Sequence, residues 1–573
     1  MHSSVMQIPS GLWSLSFRIS EAADDGLLLE LKTDALTLAF ARTGGYVSIH
    51  LETVWDVTTE KYGENPKFCF LMNTGTPCRS VRLDWLDSVI RLYADGKLAD
   101  EEWPLGRPVQ GECSLFRADC VSELSIEPLT SKPADGDIPL SGPAQFYMPP
   151  YHNASVGDCM PFVSGGRYRL YHLFDRKHHQ SKMTLGAHQW AQISSGNLID
   201  WTLHPIAVGV DEQWEGSICT GSMIEHEGKI YAFYAVRMSD GSPAKLSWAV
   251  SEDGVHFKKS GQYFSLSAPY EPVSARDPKV FKDPDGLYHM LVTTSILDGR
   301  TRPGCLAHLT SRDLINWTQH KPFLVPGYPG QPECSDYFEW NGYYYISFAN
   351  NLNARYRISK QPFGPWMRPK DDIVVSPNLA VPKMALFNGR CLASGWLGDG
   401  AWGGWAITYE LFQREDGSLG VKFIEEMMPD LNAPRLHPVC ADASNSYAEE
   451  LLAECENPFR VRGTVAFDNP GAAGELILSF GEAEYRIAFD PLEKTVSFYE
   501  PKDRPLDVNA RSRLINVKGM DKPFDIDLVV HDRILMLLLP DGQLLLPSRL
   551  EHSGPCRLSA SCRDGQMRFT PRT

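Results

Sequence analysis

Gly166-Arg-Tyr-Arg-Leu-Tyr-His-Leu-Phe174, Gly228-Lys-Ile-Tyr-Ala-Phe-Tyr-Ala235, Gly286-Leu-Tyr-His-Met-Leu-Val-Thr293, Gly342-Tyr-Tyr-Tyr-Ile-Ser-Phe-Ala349 and Gly389-Arg-Cys-Leu-Ala-Ser-Gly-Trp396 are five versions of one phrase. Each opens on a glycine and continues as a strand rich in aromatic and β-branched residues. The glycines are 62, 58, 56 and 47 residues apart, room for about four strands per interval. A second cue ending in an aromatic follows the first four: Ser195-Gly-Asn-Leu-Ile-Asp-Trp201, Ser251-Glu-Asp-Gly-Val-His-Phe257, Ser311-Arg-Asp-Leu-Ile-Asn-Trp317 and Ser359-Lys-Gln-Pro-Phe-Gly-Pro-Trp366. Several short strands per repeat read as a β-propeller, here of five blades around a central channel. A large β-sandwich with coincidental hairpins is the alternative; strand-like repeat cores exclude a helical solenoid.

On either side the pattern stays β. Val89-Ile-Arg-Leu-Tyr-Ala-Asp95-Gly96-Lys-Leu is a hairpin signal, because Asp-Gly supplies the positive-φ residues of a tight turn. Phe524-Asp-Ile-Asp-Leu-Val-Val-His531 through Ile534, then Asp541-Gly542 and Leu544-Leu-Leu, again reads strand, turn, strand. The polar segment Ser131-Lys-Pro-Ala-Asp-Gly-Asp-Ile-Pro-Leu-Ser-Gly-Pro143 is the best linker. The expected fold is all-β: an N-terminal β-sandwich and linker over 1–140, a five-bladed propeller over 141–432 and a C-terminal β-sandwich over 433–573.

Composition sets the outer bounds. The 573 residues are 43% hydrophobic and 22% charged, with 14 Trp, which excludes bulk disorder. Asp and Glu outnumber Lys and Arg 71 to 55, and a net charge of −16 disfavours a nucleic-acid partner. The longest aliphatic run, Ile534 to Leu539, is too short to cross a bilayer as a helix, so no membrane partner is expected. Met1-His-Ser-Ser-Val-Met-Gln-Ile-Pro lacks the pattern of a signal peptide, and thirteen scattered Cys show no CxxC pair. A cytoplasmic chain with reduced thiols, no structural zinc and no cofactor is the expectation.

The repeat places the chemistry. The strand before each glycine should be the innermost of its blade, with side chains toward the axis. Asp158 lies 8 residues before Gly166, Asp277 9 before Gly286 and Glu333 9 before Gly342, whereas blade two carries Thr220, 8 before Gly228. Carboxylates gathered at one channel mouth repel one another, a cost tolerated where they bind metal, share protons or catalyse. Arg276 beside Asp277 offsets part of it. Glycoside hydrolysis needs one protonated and one ionised carboxyl about an oxocarbenium-like transition state. Calcium would want a short loop of oxygen ligands, and no such spacing exists.

At these residues the chain resembles the family 32 glycoside hydrolases, the invertases, fructanases and fructosyltransferases. Arg276-Asp277-Pro278 and Glu333-Cys334, continued by Asp336 and Phe338, match two of the family's motifs. Trp201 to Ala207, Thr220-Gly-Ser222, Gly404-Trp405-Ala406, Asp416-Gly417 and His531-Asp532-Arg533 are similar to others, in order, over roughly 145–573. The resemblance implies a propeller joined to a C-terminal sandwich, with Asp158 as nucleophile, Glu333 as acid/base and Asp277, held by Arg276, stabilising the positive charge that develops. It also implies that Arg276, Thr220 and Ser222 bind substrate. At the first acid, where the family has Trp-Met-Asn-Asp-Pro-Asn-Gly, this chain has Ser155-Val-Gly-Asp158-Cys-Met-Pro161. The amide side chains that grip the sugar are missing there. The first 130 residues look like a laminin-G or concanavalin-type sandwich, either glycan-binding or a structural cap.

The implied activity is exo-acting, retaining release of terminal β-D-fructofuranosyl units from short fructose-containing oligosaccharides, with sucrose a poor substrate. An inverting arabinofuranosidase-like enzyme and a non-catalytic glycan-binding protein stay open beside it. Trp214, Trp396, Trp402 and Trp405 are candidates to line the pocket, since sugar C–H faces pack on aromatic rings, with Trp214 and Trp402 expected to bind substrate. His178-His179, near His172, Asp175 and His188, read as a substrate-facing or solvated loop without metal spacing. Cys159 and Cys334 have no evident base and read as apolar packing residues.

Overall fold

The computed structural model describes every residue except 1, 57, 60–62, 104–105, 108, 133–134, 177–187, 212–213, 239, 298–300, 351–352, 401, 444–446, 502–511 and 573. Strands dominate; the described residues contain no α-helix, only the 3-10 turns Glu425–Met427 and Pro540–Gly542. Among the described residues no helix is long and apolar enough to cross a membrane.

The N-terminal region forms a six-stranded and a five-stranded antiparallel sheet around one core. Trp13–Ile19 alternates buried and less buried positions, the period-2 signature of a strand with one face in the core. Phe17 meets Phe40 of the facing sheet edge-on at 5.2 Å, and Trp13 stacks on Trp85 at 5.4 Å. The expected Asp-Gly turn is present: Asp95 and Gly96 both have positive φ, 46° and 80°, and join Val89–Ala94 to Lys97–Glu102.

In the middle of the chain, five successive antiparallel meanders begin with Ala154–Ser164, Glu215–His226, Arg276–Lys282, Glu333–Trp340 and Ala380–Phe387. All five predicted glycines sit in the first hairpin of a meander at positive φ, from 70° to 84°. The second cue also has a physical cause. Ser195 and Ser251 hydroxyls accept backbone N–H groups two and three residues on and Ser311 the one two residues on, while Asn197, Asp253 and Asp313 accept the next two. These side chains satisfy the turn that leads into the fourth strand of the first three meanders. Trp201 and Trp317 then close it by donating Nε1–H to the carbonyls of Leu198 and Leu314.

The first strands of the meanders touch their neighbours in sequence, and the fifth touches the first, so they form a closed ring. Val156 pairs with Gly404, which joins the first and last meanders into one sheet. The C-terminal region is two six-stranded sheets around a second large core. Ile534–Leu539 is buried on both faces, which explains why it reads as a continuous apolar run rather than an alternation. Its Ile534 and Met536, with Val529 and Leu544, pack onto the fourth and fifth meanders.

Two histidines shielded from solvent set a pH limit on this structure. Burial pushes His172 and His308 down from 6.5 to about 4. Between those values the unfolded chain binds protons that the folded chain refuses, so stability falls as pH drops from about 6.5 toward 4. We expect a loss on the order of 1–3 kcal/mol per site, from about 1.4 kcal/mol per pH unit. Denaturant midpoints at pH 7 and pH 4.5 measure it, and His308→Gln should flatten part of the slope.

Candidate active site

Every first strand of the ring carries an irregularity at the same place. Two residues oppose one on the neighbouring strand: Gly157 and Asp158, Cys219 and Thr220, Asp277 and Pro278, Cys334 and Ser335, Val381 and Pro382. Such bulges bend a strand and re-aim its side chains. Asp277, Cys334 and Val381 have φ of 55°, 50° and 40°, the left-handed region that non-glycine residues avoid and that clusters at functional sites. Pro278 and Pro382 fit because a bulged residue owes the ladder no N–H. The three acids hold three consecutive places relative to the bulge: Glu333 just before it, Asp277 first in it and Asp158 second. Counting from the glycines treats them as equivalent; the bulge shows how neighbouring strands present them at different depths.

They line one cavity of about 360 Å³, with Arg276, Thr220, Cys334, Trp396 and Trp402. Three donors converge on Asp158: Thr220 Oγ1 at 2.6 Å and Cys334 Sγ at 3.1 Å on one oxygen, Trp396 Nε1 at 2.9 Å on the other. Asp277 is buried and accepts the Cys334 N–H at 2.9 Å, with Arg276 Nε 3.6 Å away. Burial pushes its carboxyl above the usual range, Arg276 opposes this, and the charges of Asp158 and Glu333 push it further up. Glu333 takes Arg276 Nη2 at 2.7 Å and its side chain is 43% exposed, so it stands at the solvent-facing mouth of the cavity. Arg276 is itself fixed, donating to Ser274 O at 2.8 Å and to Gln331 Oε1 at 2.5 Å. A carboxyl held by three neutral donors, a half-exposed one beside an arginine and a buried third are the groups that acid/base and nucleophilic work on a glycosidic bond requires.

Of the residues singled out in the sequence, Asp158, Asp277, Glu333, Arg276, Thr220 and Trp402 come together, and Trp396 joins them. Ser222 does not. Its hydroxyl bridges the Pro278 carbonyl and the Val280 N–H, both at 2.9 Å, and lines a separate cavity further along the ring. Trp214 is also outside this lining, with Lys245 Nζ 4.2 Å from its ring centre. Trp405 belongs to the core between ring and C-terminal sheets. His178 and His179 fall outside the described residues, whereas Asp175 and His188 do line the pocket. Cys334 is more than packing: burial pushes its thiol well up, so it stays protonated and donates to Asp158. Arg237 lines the pocket without having been legible, since it is a single strand-end cation with no repeated spacing.

Gly157 explains part of the departure at the first acid. A side chain there would overlap the Trp402 ring, which lies directly on the glycine. We expect Gly157→Ala to displace Trp402 and raise KM about tenfold or more with the fold intact. Unchanged kinetics, with unchanged tryptophan fluorescence, would show that the ring has room.

The site is thus a ring-centred pocket of carboxyls, arginine and indoles on an all-β chain. Residues 161–361 match the glycosyl hydrolases family 32 N-terminal domain. A sucrose-6-phosphate hydrolase of Salmonella typhimurium is 27% identical over 213 residues, 34% of this chain and 43% of that protein. The chain therefore spans less than half the length of the curated relatives it matches. A family 32 β-fructofuranosidase from Bombyx mori, solved with sucrose, shares the fold at TM-score 0.57 and 18% identity, over 75% of this chain and 93% of that one. A family 32 protein from Bifidobacterium adolescentis shares it over 100% of this chain and 99% of its own, at TM-score 0.53 and 12% identity.

Proposed function

We propose that the protein is an exo-acting, retaining β-fructofuranosidase for short fructosides. The observation that carries this reading is the gathering of Asp158, Asp277, Glu333 and Arg276 in one pocket of about 360 Å³, a volume suited to one or two sugar rings. Asp158 attacks the anomeric carbon, Glu333 protonates the leaving oxygen and then activates water, and Asp277 with Arg276 bears on the positively charged transition state. The five meanders are the blades of a propeller over 141–432, between sandwiches of 1–140 and 433–573; the closed ring of first strands supports this.

The substrate follows from what surrounds Asp158. Gly157 lies under Trp402, Cys159 is buried, and Met160 Sδ takes the Gly221 N–H at 3.2 Å, so no amide side chain beside the acid meets a sugar hydroxyl. A site lacking such a partner discriminates poorly for the sugar that needs it, and sucrose is expected to be a poor substrate. Arg237, an exposed cation of the lining, favours an acidic substituent, which agrees with relatives named for sucrose 6-phosphate.

The test is a screen of sucrose, sucrose 6-phosphate, short fructo-oligosaccharides and arabinofuranosides, with NMR of the first-formed anomer. Fructose released with retained configuration is expected, with no effect of EDTA. Arabinose released with inversion supports the arabinofuranosidase alternative, and binding without turnover supports a glycan-binding protein.

A further inference from the structure

The N-terminal sheet pair reaches the pocket through one buried arginine. Arg176 ends the second strand of the first meander, lines the pocket, and has a fully buried side chain. Its Nη2 donates to Glu101 Oε2 at 2.9 Å and its Nε lies 3.8 Å from Asp100 Oδ1, both on the N-terminal strand Lys97–Glu102. Glu101 is braced by Arg91 Nε at 3.0 Å, and Arg91 by both oxygens of Asp135 at 2.7 Å. Trp103, next along from that strand, is fully buried and stacks on Phe174 at 5.4 Å, within the core of the first two meanders. A peripheral sugar-binding module would not bury a charge-paired strand and a tryptophan against the catalytic ring.

From Arg176 the contacts continue to the proposed nucleophile. Its own N–H binds Asp175 Oδ1 at 2.7 Å, and the other oxygen of Asp175 lies 3.0 Å from His188 Nδ1. The His188 ring lies on Trp402, centres 4.1 Å apart and planes 20° apart. Trp402 neighbours Trp396, which donates to Asp158. Asp175, His188, Trp402 and Trp396 all line the pocket.

We propose that the N-terminal sheet pair is a wall of the active-site pocket, in which Glu101 and Asp100 fix Arg176 and thereby position Asp175, His188 and the Trp402 face on which substrate lies. Glu101 is a positioning residue: it acts on binding through others. The kinetic part of this proposal rests on the fructosidase reading above. The placement of His188 does not.

The experiment compares the full chain with Glu101→Gln, Glu101→Asp and, as a control, Glu123→Gln, an exposed acid of the same region 3.9 Å from Arg18. For whichever furanoside is turned over, Glu101→Gln should raise KM about tenfold or more and change kcat less than about threefold, because misplacement far from the chemistry weakens alignment. Glu101→Asp should recover part of the loss and Glu123→Gln should behave as wild type. Crystal structures of the wild type and Glu101→Gln supply a readout independent of turnover: His188 should leave Asp175 and slide off Trp402. If nothing is hydrolysed but His188 moves, the fructosidase reading fails and the positioning proposal stands. A folded Glu101→Gln with unmoved His188 and unchanged KM overturns it. Should that variant not fold, Arg176→Lys, which keeps the charge and loses the fork, is read the same way.

Discussion

Asp158→Asn and Glu333→Gln are each expected to lower kcat by about 10³-fold or more, with circular dichroism unchanged. The change is nearly isosteric in both cases. With Asp158→Asn the side-chain amide keeps an acceptor for Trp396 or for Thr220 but not for both, so a small loss of stability accompanies the large loss of rate. Glu333→Gln keeps an oxygen for Arg276 and loses only the proton the leaving group needs. An added small nucleophile such as azide should restore turnover to Asp158→Asn with inverted product, which separates attack from general destabilisation. Asp277→Asn provides contrast: it removes a charge whose burial is costly, so it should lower kcat while leaving the fold as stable or more so. Near-wild-type kcat in both of the first two variants would falsify the assignment.

The second large effect is on stability and lies deeper in the ring. Asp336, 1% exposed, meets Lys279 Nζ at 2.5 Å and accepts the N–H groups of Tyr337 at 3.0 Å and Met384 at 2.7 Å. These contacts join the third, fourth and fifth meanders directly behind the pocket. Asp336→Ala leaves the Lys279 ammonium without this partner and two amides unsatisfied, in a region that also holds the buried Lys383. Breaking such a pair from one side costs about 3–5 kcal/mol. Denaturant unfolding followed by tryptophan fluorescence should show a loss of that size. A shift under about 1 kcal/mol, small beside the range for buried pairs, would mean the meanders hold their order without this pair. The double variant Asp336→Leu/Lys279→Met should be less damaging than Asp336→Ala, because it removes both charges together.

Much of this was written in local chemistry. A glycine at positive φ, a serine and an Asx residue that satisfy one turn, and an indole that closes it each act within a few residues of chain. Repeated at near-regular intervals, such local demands spell out the meanders, and the Asp95-Gly96 and Asp541-Gly542 turns do the same for the flanking sheets. The acids and Arg276 were legible for the same reason: they stand in strands whose place in the repeat is known.

What the sequence could not carry depends on atoms brought together across long stretches of chain. Ser222 and Thr220 are two residues apart, yet a bulge sends one hydroxyl to Asp158 and the other to the Pro278 carbonyl, and no spacing rule predicts which. Trp214 resembled a pocket aromatic and Trp396 equally so; only the closure of the ring put Trp396 on Asp158. The link from Glu101 to Arg176 spans 75 residues and two sheet systems. By itself the sequence determined the strands, their turns and the identity of the acids, because periodicity and turn chemistry are satisfied locally. The tertiary structure alone decided the depth of each carboxyl, the donors that hold it and the wall lent by the N-terminal sheets, because burial and charge pairing are properties of a closed surface.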